Sequence, residues 1–303
     1  MAISSVQATI KGTTYNLTLN SSTGLYEASV TAPSTSSYNN NSGHYFPVTI
    51  KATDSAGNST TINDTNATLG NKLKLKVKET TAPAIVISSP TESQVTNNTK
   101  PIVNFTVTDA DSGVNPNSIS ITVDSGSSVT SGITKTAITN GYSCSYAIPT
   151  ALTDGNHTIK VNAKDNDGNA ATQRTVTFKV DATPPTLSVS APTNNLVTNV
   201  ASCTVTGKTS DVTAGIKSVT VQLNGGTATN VTVDSSGNFS TTITLAEGAN
   251  TIVITATDNG GLSSSVTRIV TLDTAAPVIN SVEISPNPVS TGEVFTVTVK
   301  ATD

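Results

Sequence analysis

The chain has no tryptophan, a single methionine, two histidines and two cysteines in 303 residues. Each scarcity removes an explanation. Cys144 and Cys203 fall in different repeats, so no disulfide framework staples the fold; both thiols are expected unpaired and buried as small apolar groups. With only His44 and His157, no convergent set of His, Cys and carboxylate is in view for acid–base or nucleophilic chemistry, and no G-x-S-x-G, H-E-x-x-H or C-x-x-C spacing occurs. No enzyme is expected. Charged residues make up 12%, against roughly 25% in average domains. The formal charge is −4 and no basic tract is long enough to follow a phosphate backbone, so nucleic acid is not an expected partner. No apolar run approaches the ~20 residues of a membrane helix, so membrane insertion is not expected either. The Met1 start has no basic region followed by an apolar core, the mark of a secretory leader.

What fills the chain is Thr, Ser, Asn, Val and Ile, the residues of pleated strands and of the turns between them. A phrase recurs. Leu152-Thr-Asp-Gly-Asn-His-Thr-Ile-Lys-Val-Asn-Ala-Lys-Asp165 returns as Leu245-Ala-Glu-Gly-Ala-Asn-Thr-Ile-Val-Ile-Thr-Ala-Thr-Asp258, its final aspartates 93 positions apart. Three junctions also repeat, each an acidic residue, small residues and then proline: Glu79 to Pro83, Asp181 to Pro185 and Asp273 to Pro277. Proline ends one ladder and stiffens the link to the next. The spacing predicts β-sandwich modules strung end to end as an elongated rod, over residues 1–79, 80–181 and 182–273, with the start of another at 274–303.

Within modules the apolar period is two. Thr158–Ala163 and Thr175–Val180 flank an Asp/Asn/Gly turn at Asp165, and Thr251–Ala256 and Val266–Leu272 flank another at Asp258; each reads as a late hairpin. Asp54-Ser-Ala-Gly-Asn58 carries the same cue in the first module, with a longer insert before its last strand. Leu17–Tyr26 and Val231–Phe239 both read as a hairpin whose returning strand opens with an aromatic. Glu293–Asp303 reads as the second strand of the fourth module, and two strands cannot bury a core alone. Either the chain continues or a partner supplies strands; donation between copies would make a homo-oligomer.

These turns, the Asp-Gly-Asn-His-Thr-Ile phrase and the proline junctions resemble the bacterial Ig-like and cadherin-like repeats of cell-surface proteins, adhesins and secreted glycan-active enzymes. The resemblance implies an all-β fold of tandem Ig-like β-sandwich repeats. The first module, with its Met1 start and the segment Thr31–Phe46, also resembles Ig-like proteins from tail or virion gene modules of phages of Gram-positive bacteria. That implies an extracellular place on a virion (tail) surface, a stalk or attachment role, and contact with a bacterial surface glycan or protein receptor or with other virion proteins. The alternative is a bacterial cell-surface adhesin, or a spacer module of a secreted glycan-active enzyme.

Three groups of residues are candidates for contact or binding. Tyr38, His44, Tyr45 and Phe46 concentrate aromatics in an Asn-rich loop, a composition suited to adaptable recognition, although Tyr45 and Phe46 equally suit the start of a buried strand. Lys72, Lys74, Lys76 and Lys78 alternate with Leu73, Leu75 and Val77, which predicts a strand with a basic solvent face; it would block edge-to-edge pairing or touch an anionic wall polymer. Calcium takes roughly six to eight oxygens, and the resemblance to cadherin-like repeats implies that turns and linkers supply them. Asp109, Asp111, Asp165, Asp167 and Asp181 are the candidate ligands; the competing account is ordinary turns in which aspartate bonds its own backbone. Asp258 stands alone in its loop, which argues against a site repeated from module to module. His157 stands where the third module has Asn250, so a structural role is expected.

Overall fold

The computed structural model describes residues 2–303, and almost every regular element in it is a strand. Among the described residues no helix is long and apolar enough to cross a membrane. The chain divides into two compact units, one taking in the residues up to Gln94 and Asn98–Val180, the other Val95–Asn97 and Asp181–Asp303.

In the second module, one sheet runs Ile133–Ile138, Gly141–Ala147, Ile102–Thr108, Ala84–Ser89. A second sheet sets Ser120–Val123, Gly155–Asn162 and Arg174–Val180 side by side. Strict alternation builds the core between them. On Ile102–Thr108 the side chains of Val103, Phe105 and Val107 point inward and are buried, and they meet Ile121, Ile159, Val161 and Phe178 of the other sheet. Burying each such side chain stabilises by about 1.5–3 kcal/mol before chain entropy is subtracted. The third module repeats the plan. Thr186–Ala191, Ser202–Ser210 and Asn238–Thr244 form one sheet, and Leu196–Thr198, Ser263–Leu272, Gly248–Asp258, Ile216–Leu223 and Thr229–Val231 the other. Val205, Val219, Phe239, Ile252, Ile254 and Val270 fill the space between.

Both expected late hairpins form, pairing Gly155 with Val180 and Thr257 with Ser263. Leu17–Tyr26 also closes as a hairpin, with Leu19 opposite Tyr26. Its counterpart in the third module does not. Thr229–Val231 pairs with Ile216–Leu223, whereas Asn238–Thr244 pairs with Ser202–Ser210 in the other sheet, and only an isolated bridge joins Val233 to Phe239. Phe239 packs into the core, and that burial draws its strand across to the other layer.

The first module differs from a two-layer sandwich. Its strands lie in one sheet, ordered Leu25–Glu27, Thr13–Asn20, Ile3–Ile10, Phe46–Asp54, Ser59–Ile62, with Lys74–Leu75 paired to the start of Phe46–Asp54. Residues 28–45, rich in Ser and Asn, offer no alternating apolar face for an opposing sheet. Among the described residues of this module, Phe46 is the one fully buried large apolar side chain. After the third module, Val278–Ser285 and Thr296–Thr302 form an antiparallel pair with exposed side chains on both faces.

Candidate functional site: carboxylates where the modules begin

Three backbone positions recur. An acidic residue precedes each first strand, namely Glu79, Asp181 and Asp273. The second strand of each module stops one residue before an aspartate: Ile102–Thr108 before Asp109, Ser202–Ser210 before Asp211, Thr296–Thr302 before Asp303. The late-hairpin turn begins with Asp165 or Asp258. Folding brings the three together. Carboxylate oxygens of Glu79, Asp109 and Asp165 lie within 4.8 Å of one another, and those of Asp181, Asp211 and Asp258 do the same.

The turns hold their aspartates by a shared construction. Asp54 Oδ1 accepts the N–H of Ala56 and of Asn58, while Asn58 Nδ2 donates to Oδ2 at 3.0 Å. Asp165 Oδ1 accepts from Gly168 and Asn169 N–H, and Asn169 Nδ2 donates to Oδ2 at 2.6 Å. Asp234 and Asn238 repeat it at 3.0 Å. The Asn58 side chain holds Asp54 below the usual carboxylate value, and Asn238 does so for Asp234.

Of the five aspartates named as candidate calcium ligands, Asp109 and Asp165 come together, with Glu79. Asp111 and Asp167 serve the first module instead. The Ser36 N–H reaches both oxygens of Asp111 at 3.0 Å, the Ser36 hydroxyl donates to Asp167 Oδ2 at 2.6 Å, and the Glu79 N–H donates to the same oxygen at 3.0 Å. Asn39 Nδ2 donates to the Asp111 carbonyl and Lys78 Nζ to the Asp167 carbonyl. Two turns of the second module thus grip a loop and the trailing segment of the first. Asp181 groups with Asp211 and Asp258, so the third module does carry a cluster. Glu79, Asp211 and Asp258 were missed by motif reading. The available signal was distance: Glu79 to Asp181 and Asp109 to Asp211 are both 102 positions. Burial pushes Glu79 above its usual 4.5, the charges of Asp109 and Asp111 add to the shift, and hydrogen bonding from Ser112 opposes it.

The aromatic loop splits in two. Phe46 is 2% exposed and belongs to the interior, so it offers no contact surface. Tyr45 donates its hydroxyl to Asp64 at 2.8 Å and lies under Lys74 Nζ. Tyr38 and His44 stack at 3.9 Å with rings 11° from parallel; His44 is exposed, and its Nδ1 meets the Tyr38 carbonyl at 2.6 Å.

The lysine stretch is not one strand. Gly70–Leu73 forms a 3-10 turn, only Lys74–Leu75 is extended and paired, and the residues beyond pair with no strand. A Cβ on Gly70 would collide with the Asp64 backbone, so the chain turns there rather than running straight. Lys74 Nζ donates to Asn71 and Lys78 Nζ reaches Asp167, while Lys72 and Lys76 are exposed.

His157 is 7% exposed, with Nδ1 at 2.8 Å from Asp124 Oδ2 and Nε2 at 2.7 Å from the Thr153 carbonyl. Asn250 performs the same task in the third module, bonding Ala246, Gly248 and Asn224. Cys144 and Cys203 are free and buried, and burial raises both thiols above their usual value, which keeps them protonated and unreactive. A cleft of about 610 Å³ in the third module is lined by groups such as Thr209, Asp211, Lys217 and Asp234, with neither histidine nor cysteine.

Residues 87–182 match the family pattern of a bacterial Ig-like domain, and residues 185–274 match that of glucodextranase, domain B. No curated protein matches the sequence. Among solved structures, the fibronectin(III)-like modules of Clostridium thermocellum CbhA are 18% identical, covering 63% of this chain and 94% of that one at a TM-score of 0.38. Three titin domains, A168-A170, are 14% identical over 88% of this chain and 86% of that one, with a TM-score of 0.43. A tetra-tandem repeat from the extending region of a large adhesion protein is 20% identical over 97% of this chain and 79% of that one, with a TM-score of 0.32. The fold is all-β, and its second and third modules are Ig-like β-sandwiches in tandem.

Proposed function

We propose that the chain is a spacer and attachment protein displayed outside the cell on a phage tail or virion, where its modules set a distance and its first module meets a bacterial surface glycan or protein receptor. The observation that carries this reading is the joint between the first two modules. Asp111 and Asp167 hold Ser36, Lys78 and Glu79 by direct hydrogen bonds, three of them to the nearly buried Ser36, which makes a joint that keeps its form under load. The Tyr38–His44 stack supports the attachment role, since two parallel rings with an exposed imidazole offer a flat face of the sort a sugar ring covers. The test has two arms. Gold-labelled antibody against the chain should decorate released particles in electron micrographs. Purified chain should also bind host cell-wall preparations, and the double variant Tyr38→Ala, His44→Ala should lose at least about tenfold in affinity, the equivalent of 1.4 kcal/mol. Undecorated particles overturn the virion placement, and undiminished binding overturns the contact loop.

A second reading follows from the glucodextranase domain B match over residues 185–274: a non-catalytic module of a secreted glycan-active enzyme. It predicts adsorption to insoluble glucan that survives the Tyr38 and His44 substitutions.

A further inference from the structure

The sheet of the first module has two chemically different faces. Residues opposite one another across its ladders share a face. Val6 lies between Leu17 and Ala52, and Ala8 between Tyr15 and Ile50. One residue along, Gln7 lies between Asn16 and Lys51, and Thr9 between Thr14 and Thr49. The polar face is tied to itself: Gln7 Nε2 donates to Asn16 Oδ1 at 2.9 Å, and the Thr9 and Thr14 hydroxyls meet at 2.9 Å. The apolar face continues outward through Leu19, opposite Tyr26, and Ile62, opposite Ile50.

That apolar face lacks an opposing layer. In the second module the inward side chains Val103, Phe105 and Val107 are at most 1% exposed. Along Ile3–Ile10, by contrast, Val6, Ala8 and Ile10 are only half-buried, no more covered than Gln7 and Thr9 on the polar face, and Leu19 is 50% exposed. Phe46, at one end of the face, is the exception. Alternation of this kind stabilises a sheet through the layer its apolar face meets, as it does in the second and third modules. Among the described residues the other sheet without such a layer is Val278–Ser285 with Thr296–Thr302, which is two strands wide and too narrow to cover five.

We propose that the first module docks on a second copy of this chain, apolar face to apolar face, so that two single sheets complete one two-layer sandwich across a two-fold axis. A second copy is the occupant because it brings a face of the same width and chemistry, as a two-fold interface requires. Val6, Ala8, Ile10 and their cross-strand partners on that face are all uncharged, so no like charges meet. Three strands of 8, 8 and 9 residues with two shorter ones at the edges offer roughly 500 Å² on each copy, about 1,000 Å² in all, which is the lower bound for a specific interface. The pair is therefore a weak one that forms and separates with concentration. Face packing leaves every backbone ladder of both copies intact, unlike donation of a strand. The spacer reading rests on the joint held by Asp111 and Asp167, so failure of the pair would leave that reading standing.

Sedimentation velocity on the full chain over a concentration series tests this. The weight-average mass should rise from one chain toward two and level off there. Ile50→Asp places a charge within the apolar face and should weaken the pair at least about 100-fold, because pairing would bury the carboxylate without a partner. Leu19→Lys acts at a side chain already half open to water, so it spares the fold of the single chain, and it should weaken the pair about tenfold. If Ile50→Asp fails to fold, Leu19→Lys still decides. Lys51→Gln on the polar face and Val282→Asp on the two-stranded pair should both leave the association unchanged. A chain that stays single at every concentration overturns the proposal, whether the face then stays open or takes an unlike partner. Growth past two chains does so too, since it marks head-to-tail contact. So does a pair that Leu19→Lys leaves intact, or one that Val282→Asp or Lys51→Gln dissolves.

Discussion

An aspartate followed four residues later by asparagine closes a turn with its own side chains, and this chain does so three times. Asp54 and Asp234 are held below the usual 3.8 by those asparagines, so their share of stability is present above that value and is lost as pH falls through the lowered one. Glu79 works in the opposite sense. Its folded value is raised, so its stabilising share exists below 4.5 and is lost as pH rises through the raised value. Glu79→Gln keeps an acceptor for the Ser112 N–H and removes one charge from beside Asp109 and Asp111. In EDTA the urea midpoint of the variant should exceed the wild type at neutral pH and coincide with it well below pH 4.5. A midpoint no higher at neutral pH would mean that the trio carries no net repulsion. The turns were legible in the sequence because each is local. The work of Asp111 and Asp167 was not, because their partners Ser36 and Glu79 lie 75 and 88 positions away.

Strands were legible wherever alternation faces a real partner sheet. Val103, Phe105 and Val107 alternate with polar residues along their strand and point inward. Lys72–Lys78 shows the limit of the same rule: perfect alternation yielded a 3-10 turn and a two-residue strand, because the close approach of Gly70 to Asp64 bends the backbone. Close approach also governs Gly207, inside Ser202–Ser210. A Cβ there would collide with the Ser188 carbonyl oxygen and with the Phe239 ring. Gly207→Ala should therefore destabilise the third module by about 1–3 kcal/mol through overpacking, even though alanine is nominally the better strand residue. Guanidinium melts followed through Cys203 labelling measure this directly, and an unchanged melt would show that Phe239 can give way.

The described residues hold two separate apolar cores, one spanning Val103–Val180 and one Cys203–Leu272, with no residue in common. Local loss of packing should therefore stay local. Phe178→Ala, at a side chain 1% exposed, should destabilise the second module by about 3–5 kcal/mol and accelerate Cys144 labelling while Cys203 keeps its wild-type rate. Parallel acceleration of both thiols would mean that the modules unfold as one cooperative body. The repeat length told that sandwiches follow one another. It did not tell that the first module is a single sheet, since a Ser/Asn-rich insert and a missing layer look alike in one dimension.

By itself the sequence determined the strand-rich class, the late hairpins, the aspartate–asparagine turns and the unpaired, buried thiols. All of these depend on periodicity or on residues within a few positions of each other. Tertiary structure alone decided which carboxylates meet. Glu79, Asp109 and Asp165 lie far from one another along the chain, as do Asp181, Asp211 and Asp258, and only the pairing of distant strands carries their turns to one end of a module.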